Sequence, residues 1–467
     1  MFSIERSIDF GGVRRATGLP LPISVRDAAN KAYGDQILMG LGDNLFATLA
    51  LNFKGTRSVP SNVSMVRSTP GEVSNNFGAL ESVSANLGRI TTYGSSLGCD
   101  GLLCEPSSTN YHKYSDVFSG TGWSNSAAGE TLYITPGAVS GRDSVGLNLV
   151  TEDSGTAVFR TKYGTITGVS QGARTSFTLE ARPYLLGGGR NILLYFSGPA
   201  FLGQRIGACF DCLTGEVLGL QGTTQQTVDV VAEPIVFTDG VGGWRFSISA
   251  TTQAAANVLA GYSPSVGTTN AYTSDGRPCF YVGKAQVELG SPTSYIGTSG
   301  AVATRGGDVA NCALDGRHLA SGRGIVLVRF SKRTPVGTGE SPHVLTLSDG
   351  TTTNRVALKL SRGATAPEVN VSASVTTGGV DSLIPGTVVG LGVIKAALAW
   401  GPAGAAMYVG GSQVWATSSA LVGPASLSNL ALGHDGQGAN QLGGAIAMAA
   451  LFPYASLSVD QLEGLTL

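Results

Sequence analysis

The sequence predicts an all-β chain of tandem antiparallel β-sandwiches behind a short N-terminal segment. Three observations carry that expectation. Apolar and polar residues alternate in short runs, as in Leu45, Ala47, Leu49, Leu51 and Phe53, which puts one set of side chains on one face of an extended strand. Gly, Asn, Asp, Ser and Pro fill the gaps between runs, where tight turns need them. No stretch of ten or more residues between the runs keeps a helical period, which argues against a parallel α/β fold. Composition agrees: charged residues are 13% of the chain, against roughly 25% in an average soluble domain. Glycine reaches 67 of 467 residues without a collagen-like period, and 42% hydrophobic residues are too many for a disordered linker.

Residues 1–40 stand apart. Gly18, Pro20 and Pro22 punctuate them, and Asp27 is placed to cap a short helix through Ala28 and Ala29 that Gly34 ends. So little apolar material cannot form a core, so this segment is expected to dock on another subunit or a larger particle. The first sandwich is assigned to residues 41–310. At its start a helical seam through Leu38, Leu41 and Leu45 competes with the strand pattern, but Gly34, Gly40 and Gly42 each cost a helix about 1 kcal/mol. Further strands are expected over 175–182, 191–197, 208–213, 243–250 and 278–289, with a hairpin turn at Thr214-Gly215. Glycines at 300, 306, 307, 316 and 322, mixed with Arg and Asp, read as a junction between modules. The second sandwich is assigned to residues 311–467, with strands over 325–330, 343–347, 355–360, 368–375, 393–400, 405–409, 430–433 and 445–451. Ser458 and Gln461 make a capping box for one closing helix.

A net charge of −1 generates no long-range field, so neither nucleic acid nor a membrane is an expected partner. The N-terminus has no basic region followed by an apolar one, so no secretion signal is expected and the chain reads as folding in a cytoplasm. The most apolar stretches, 387–400 and 442–452, fall short of the ~18 residues of a spanning helix and read as buried strands. Cys209 and Cys212 have a metal-like spacing, but on a strand residues three apart point to opposite faces and cannot close on one ion. The six cysteines therefore read as small core residues, and no metal or other cofactor is expected.

No catalytic constellation stands out. The histidines at 112, 318, 343 and 434 fall on expected loops or module edges with no nucleophile motif beside them, and His112 reads as a surface residue. Glu180, Glu216, Asp239, Asp275 and Glu288 are isolated and mostly border turns, which fits solvated loop acids better than a glycosidase pair. A non-enzymatic protein is expected. Sugar recognition, by contrast, needs aromatic faces with hydrogen-bonding groups nearby. The aromatics available include Trp123, Tyr195, Tyr281 and Trp415, while Trp244 and Trp400 lie within apolar runs and read as core. Trp123, Tyr281 and Trp415, with Asp435, Gln437 and Asn440 of the loop 434–441, are the candidate sugar-binding residues.

Three stretches resemble modules of tailed-bacteriophage particles. Thr17-Gly18-Leu19-Pro20-Leu21-Pro22, followed by Asp27-Ala28-Ala29-Asn30-Lys31-Ala32-Tyr33, resembles a segment of phage tail fibres and collar proteins found at trimeric junctions, with Asn30 and Gly34 departing from its usual Thr and Val. That resemblance implies a homotrimer that docks on other virion proteins through residues 1–40, with Leu19, Pro20, Pro22, Asp27, Lys31 and Tyr33 in the contact. Over most of residues 45–310, Gly101-Leu102-Leu103-Cys104-Glu105, 114–118, Trp123, Gly243-Trp244-Arg245, 283–290 and 292–296 resemble a jelly roll of phage tail and virion proteins, similar in architecture to carbohydrate-binding modules. Residues 323–467, through 347–350, 406–411 and 430–433, resemble concanavalin A-like, laminin-G-type sandwiches. Together these imply a virion location and a tail-fibre adhesin that attaches to bacterial surface glycans. A purely structural head-decoration, collar or tail ornament is the alternative left open.

Overall fold

A computed structural model describes residues 47–467 apart from 55, 57, 76, 92–100, 120–121, 126–130, 187–188, 223–226, 317, 320–321, 366 and 455. The docking segment, with Leu19, Pro20, Pro22, Asp27, Lys31 and Tyr33, lies outside the described residues. The rest is all-β, as expected, and its strands pair antiparallel into two sandwiches.

The first is a jelly roll of two six-stranded sheets. One runs in the order Asp229–Val236, Gly242–Thr251, Arg174–Pro183, Pro278–Leu289, Leu147–Glu152, Leu132–Val139. The other runs Val217–Gln221, Ile206–Phe210, Asn191–Ser197, Ala256–Ser265, Lys162–Val169, Ser124–Asn125. Alternation sets the packing: Phe177, Leu179 and Ala181 from the first sheet meet Ile192, Leu194 and Phe196 from the second in one buried core. The opposite face of Arg174–Pro183 is buried as well, so its hydroxyls pair across strands, Ser176 with Ser249 at 2.9 Å and Thr178 with Ser247 at 3.0 Å.

The second sandwich is split in sequence. Its larger sheet runs Ser412–Thr417, Gly404–Val409, Gly392–Gly401, Gly324–Lys332, Gly444–Phe452, Gly101–Cys104, Ile90–Thr91, and Leu49–Asn52 also pairs with Gly444–Phe452. The facing sheet runs Val63–Val66, Val309–Ala313, Asn429–Leu432, His343–Ser348, Arg355–Arg362, Val369–Thr377, Val380–Val389. The expected boundaries, 41–310 and 311–467, therefore do not coincide with the sheets. Strands between 49 and 104 complete the sandwich formed by 309–452, and the jelly roll is an insertion in it. Leu51 sits opposite Ala449, a pairing that leaves no local mark in the sequence.

The chain enters the jelly roll through Ser108–Asn110 and leaves through Ala303–Arg305, and these two strands pair, Asn110 with Ala303 and Ser108 with Arg305. This two-stranded neck is clamped by buried charge. Arg67 reaches Asp308 at 3.0 Å, Arg89 reaches Glu105 at 2.7 Å and also bonds Asp308, and Arg305 reaches Glu105 at 3.1 Å. Burial opposes ionisation of Glu105, yet Arg305 and Arg89 hold its carboxyl well below the usual range. Of the glycines expected to mark a loose junction, Gly306 and Gly307 pack tightly beside this clamp. A Cβ at Gly306 would stand 2.5 Å from the Ser68 hydroxyl, and one at Gly307 2.9 Å from the Ser107 nitrogen. Val309–Ala313, just beyond them, is a sheet strand.

Val380–Val389 had no counterpart among the expected strands, because it is an edge strand with an internal Pro385 and Val380, Leu383 and Val388 exposed. The closing helix Val459–Thr466 has its capping box: Gln461 N–H donates to Ser458 Oγ at 3.2 Å and Ser458 N–H to Gln461 Oε1 at 2.8 Å. Among the described residues no helix is long and apolar enough to cross a membrane.

Candidate functional site

The residues singled out for sugar binding do not converge. Trp123 is 4% exposed in the jelly-roll core, with His112 at 4.1 Å and Phe118 at 4.7 Å between ring centroids, so it presents no face to a ligand. Tyr281 is half-buried in the jelly roll, beside Tyr184 at 5.9 Å and under the Arg182 guanidinium. Trp415 lies on the far edge strand of the split sandwich and packs against that core. Asp435, Gln437 and Asn440 share one loop, but their polar groups are spent on holding it and tying it to its neighbour. Asp435 is 6% exposed and accepts from the backbone of Gln437 at 2.9 Å, the backbone of Ala439 at 3.0 Å and Asn440 Nδ2 at 3.0 Å. Gln437 Nε2 donates to the Gly350 carbonyl at 2.6 Å, and Asn440 takes a left-handed φ of 52°.

Several other assignments change once neighbours distant in sequence are in place. His112 is 4% exposed instead of at the surface, and burial pushes its imidazole down to about 4. His343 and His434 are buried too, and His434 accepts from Gly436 and Gly438 N–H at Nδ1 while its Nε2 lies 3.1 Å from the Ala310 carbonyl. Glu180 is ion-paired with Arg142 at 2.8 Å, and Glu288 accepts from Ser108 Oγ at 2.6 Å, so neither is a solvated loop acid. Trp400 is fully buried as expected, whereas Trp244 is half-buried over the turn at Gly215, whose φ of 75° and absent Cβ leave room for the ring. Cys209 lies in the strand Ile206–Phe210 and Cys212 in the turn beyond it, where the expected strand over 208–213 has already ended, and the two belong to different apolar clusters. Among the described residues no three His, Cys, Asp or Glu side chains gather where they could hold a metal ion.

The outward face of the second jelly-roll sheet carries a feature the sequence reading missed. Alternation along Asn191–Ser197 turns Leu193 and Tyr195 outward, where they join Cys209 with Tyr163 and Leu218 beside them. Tyr195 is only 2% exposed, and burial pushes its hydroxyl up to about 12. The Arg205 guanidinium rests over its ring, 4.7 Å from the centroid. Beside this pair lies an open groove of about 730 Å³, whose walls include Ser197, Arg205, Gln221, Leu259 and Asn270. One end is a 3-10 turn, Pro199–Phe201, fixed by Phe201 stacked on Phe196 at 5.5 Å in the core. Gln221 Nε2 donates to the Thr268 carbonyl at 2.9 Å. Asn270 is 4% exposed, and its side-chain nitrogen has no hydrogen-bond partner among the described residues. Tyr195 was legible as an aromatic on a strand. Arg205 was not, because only the fold lays the loop after Phe201 against that ring.

No protein-family model matches the chain, and no curated protein matches it in sequence. Among solved structures the chain is similar to the CBM40 of the Ruminococcus gnavus IT-sialidase, with 18% identity over 32% of this chain and 84% of that one at a TM-score of 0.26. The same module bound to alpha2,3 sialyllactose gives 18% identity, 32% and 83% coverage and a TM-score of 0.26. Bound to alpha2,6 sialyllactose it gives 17%, 32%, 85% and 0.25. Likeness at that level carries nothing about a ligand, and the sandwich architecture stands on the strand pairing of this chain itself.

Proposed function

We propose that the chain is a non-enzymatic virion protein of a tailed bacteriophage whose jelly roll attaches to glycans on a bacterial surface. The observation that carries this reading is the open groove on the outward jelly-roll sheet, where a guanidinium backed by a tyrosine stands beside two amides and a hydroxyl. Saccharides are held by such sparse, convergent polar groups on a rigid wall. The resemblance of residues 17–35 to trimer-junction segments supports a homotrimer tethered to other virion proteins through residues 1–40. Three grooves on one tether would turn weak single-site affinity into firm attachment. For the split sandwich a structural role is the better reading, because Asp435 and Asn440 bond each other within their loop and Gln437 ties that loop to the Gly350 carbonyl.

A glycan array probed with the recombinant chain at millimolar saccharide tests the proposal. Retention on at least one bacterial saccharide is the expected result, and no retention on any leaves only a structural role. Light scattering should give a trimer, and a stable monomer at micromolar concentration would contradict the tether.

A further inference from the structure

The groove beside Arg205 carries a narrower inference, which rests on the glycan reading above. Among the described residues its lining side chains supply one cation, Arg205, the amides Gln221 and Asn270, the hydroxyl of Ser197, and no acid. A platform for a neutral sugar offers an exposed aromatic face. Here Tyr195 is 2% exposed and its ring is occupied by the guanidinium, so an incoming ligand meets the arginine and not the ring. A guanidinium stacked on an aromatic face is already ordered, and its planar fork of N–H donors matches a carboxylate. Around it the wall is stiff. Gly198 and Gly203 take φ of 101° and 75°, and the turn between them is pinned through Phe201 to the core. Asn270 adds a buried amide nitrogen that no described group satisfies, a donor that gains from an acceptor brought by a ligand.

We propose that this groove binds a saccharide bearing a carboxylate, with Arg205 taking the carboxylate and Ser197, Gln221 and Asn270 taking neighbouring ring substituents. The charge of the ligand, more than its ring stacking, sets the preference.

The test uses the full chain and immobilised saccharides bearing uronic, sialic or ketodeoxyoctonic acid, each beside its carboxyl-reduced neutral counterpart. At least one acidic member should bind about tenfold more tightly than its reduced partner. Arg205→Ala should remove that preference with the melting transition unchanged, and Ser197→Asp, which keeps Arg205 but sets a like charge against the ligand, should weaken the acidic member about tenfold. Acidic and reduced members binding alike, or a preference that survives Arg205→Ala, overturns the groove assignment while leaving glycan attachment standing. Binding to no saccharide at all overturns both.

Discussion

The jelly roll and the split sandwich solve the same packing problem with different side chains and different chain order. The jelly-roll core is aromatic, built on Phe118, Trp123, Phe177, Phe196, Phe201, Phe210, Phe246, Tyr262 and Phe280. The split core is aliphatic, with Phe53, Phe330 and Trp400 among Val, Leu, Ile and Ala. Jelly-roll strands lie within one stretch of chain, whereas the split sandwich closes only when Leu49–Asn52 finds Gly444–Phe452. The insertion is tolerable because its ends meet at the neck, and because the entropy of closing a loop grows only slowly with its length. Integrity of one sandwich is therefore local, and that of the other depends on residues from both ends of the described chain.

The largest effect should come from cutting along the expected boundary. Residues 311–467 alone lack Leu49–Asn52, Val63–Val66, Ile90–Thr91 and Gly101–Cys104, so the fragment should show no cooperative thermal transition by circular dichroism. A fragment of 107–306 should show one. Next is the clamp at the neck. Asp308→Ala strands Arg67 and Arg89 without their shared carboxylate, and denaturant titration should show a loss of about 3–5 kcal/mol. A loss confined to the surface-pair range would mean that the neck is wet.

Acid should then affect both sandwiches. His112 in the jelly roll and His343 in the split sandwich are each held down to about 4, by burial in both cases and for His343 also by Lys359 and Arg355. Neutral when folded, they bind protons near 6.5 when unfolded, so stability falls as pH drops from about 6.5 to 4, by roughly 3 kcal/mol for each. His112→Gln should flatten that slope for the jelly-roll transition alone. Asp229, where burial is outweighed by Arg362 and Arg174, and Glu105 are held low as well, and they add a further loss as pH falls below the ordinary carboxylate range. The smallest effect should be at the free edge. Leu383 is 72% exposed, so Leu383→Ser should change stability by under about 0.5 kcal/mol, and a larger drop in the melting temperature would reveal a covering copy of the chain.

Faces were legible in the sequence and partners were not. The period of two correctly put Leu49, Leu51 and Phe53 on one buried face, and it located most strands of the split sandwich and about half of those of the jelly roll to within a few residues. The capping box at Ser458 was readable because it is local. The membership of residues 49–104 was not, since a pairing such as Leu51 with Ala449 is written only in three dimensions. The same gap explains the site. Trp123 looked like a platform because nothing in its neighbourhood shows that His112 and Phe118 enclose it, and Arg205 looked ordinary because the ring beneath it lies on another strand.

The split of the outer sandwich around the jelly roll is tested most directly by a cross-link between its two ends. Ala50 stands opposite Ala450 in an antiparallel pair, within the roughly 4.4–6.8 Å Cα separation that a disulfide spans. Ala50→Cys with Ala450→Cys should oxidise to one bridge, identified by peptide mass mapping, as readily as the control pair Ser176→Cys with Ser249→Cys inside the jelly roll. Failure of the first bridge under conditions that form the second would contradict the split arrangement.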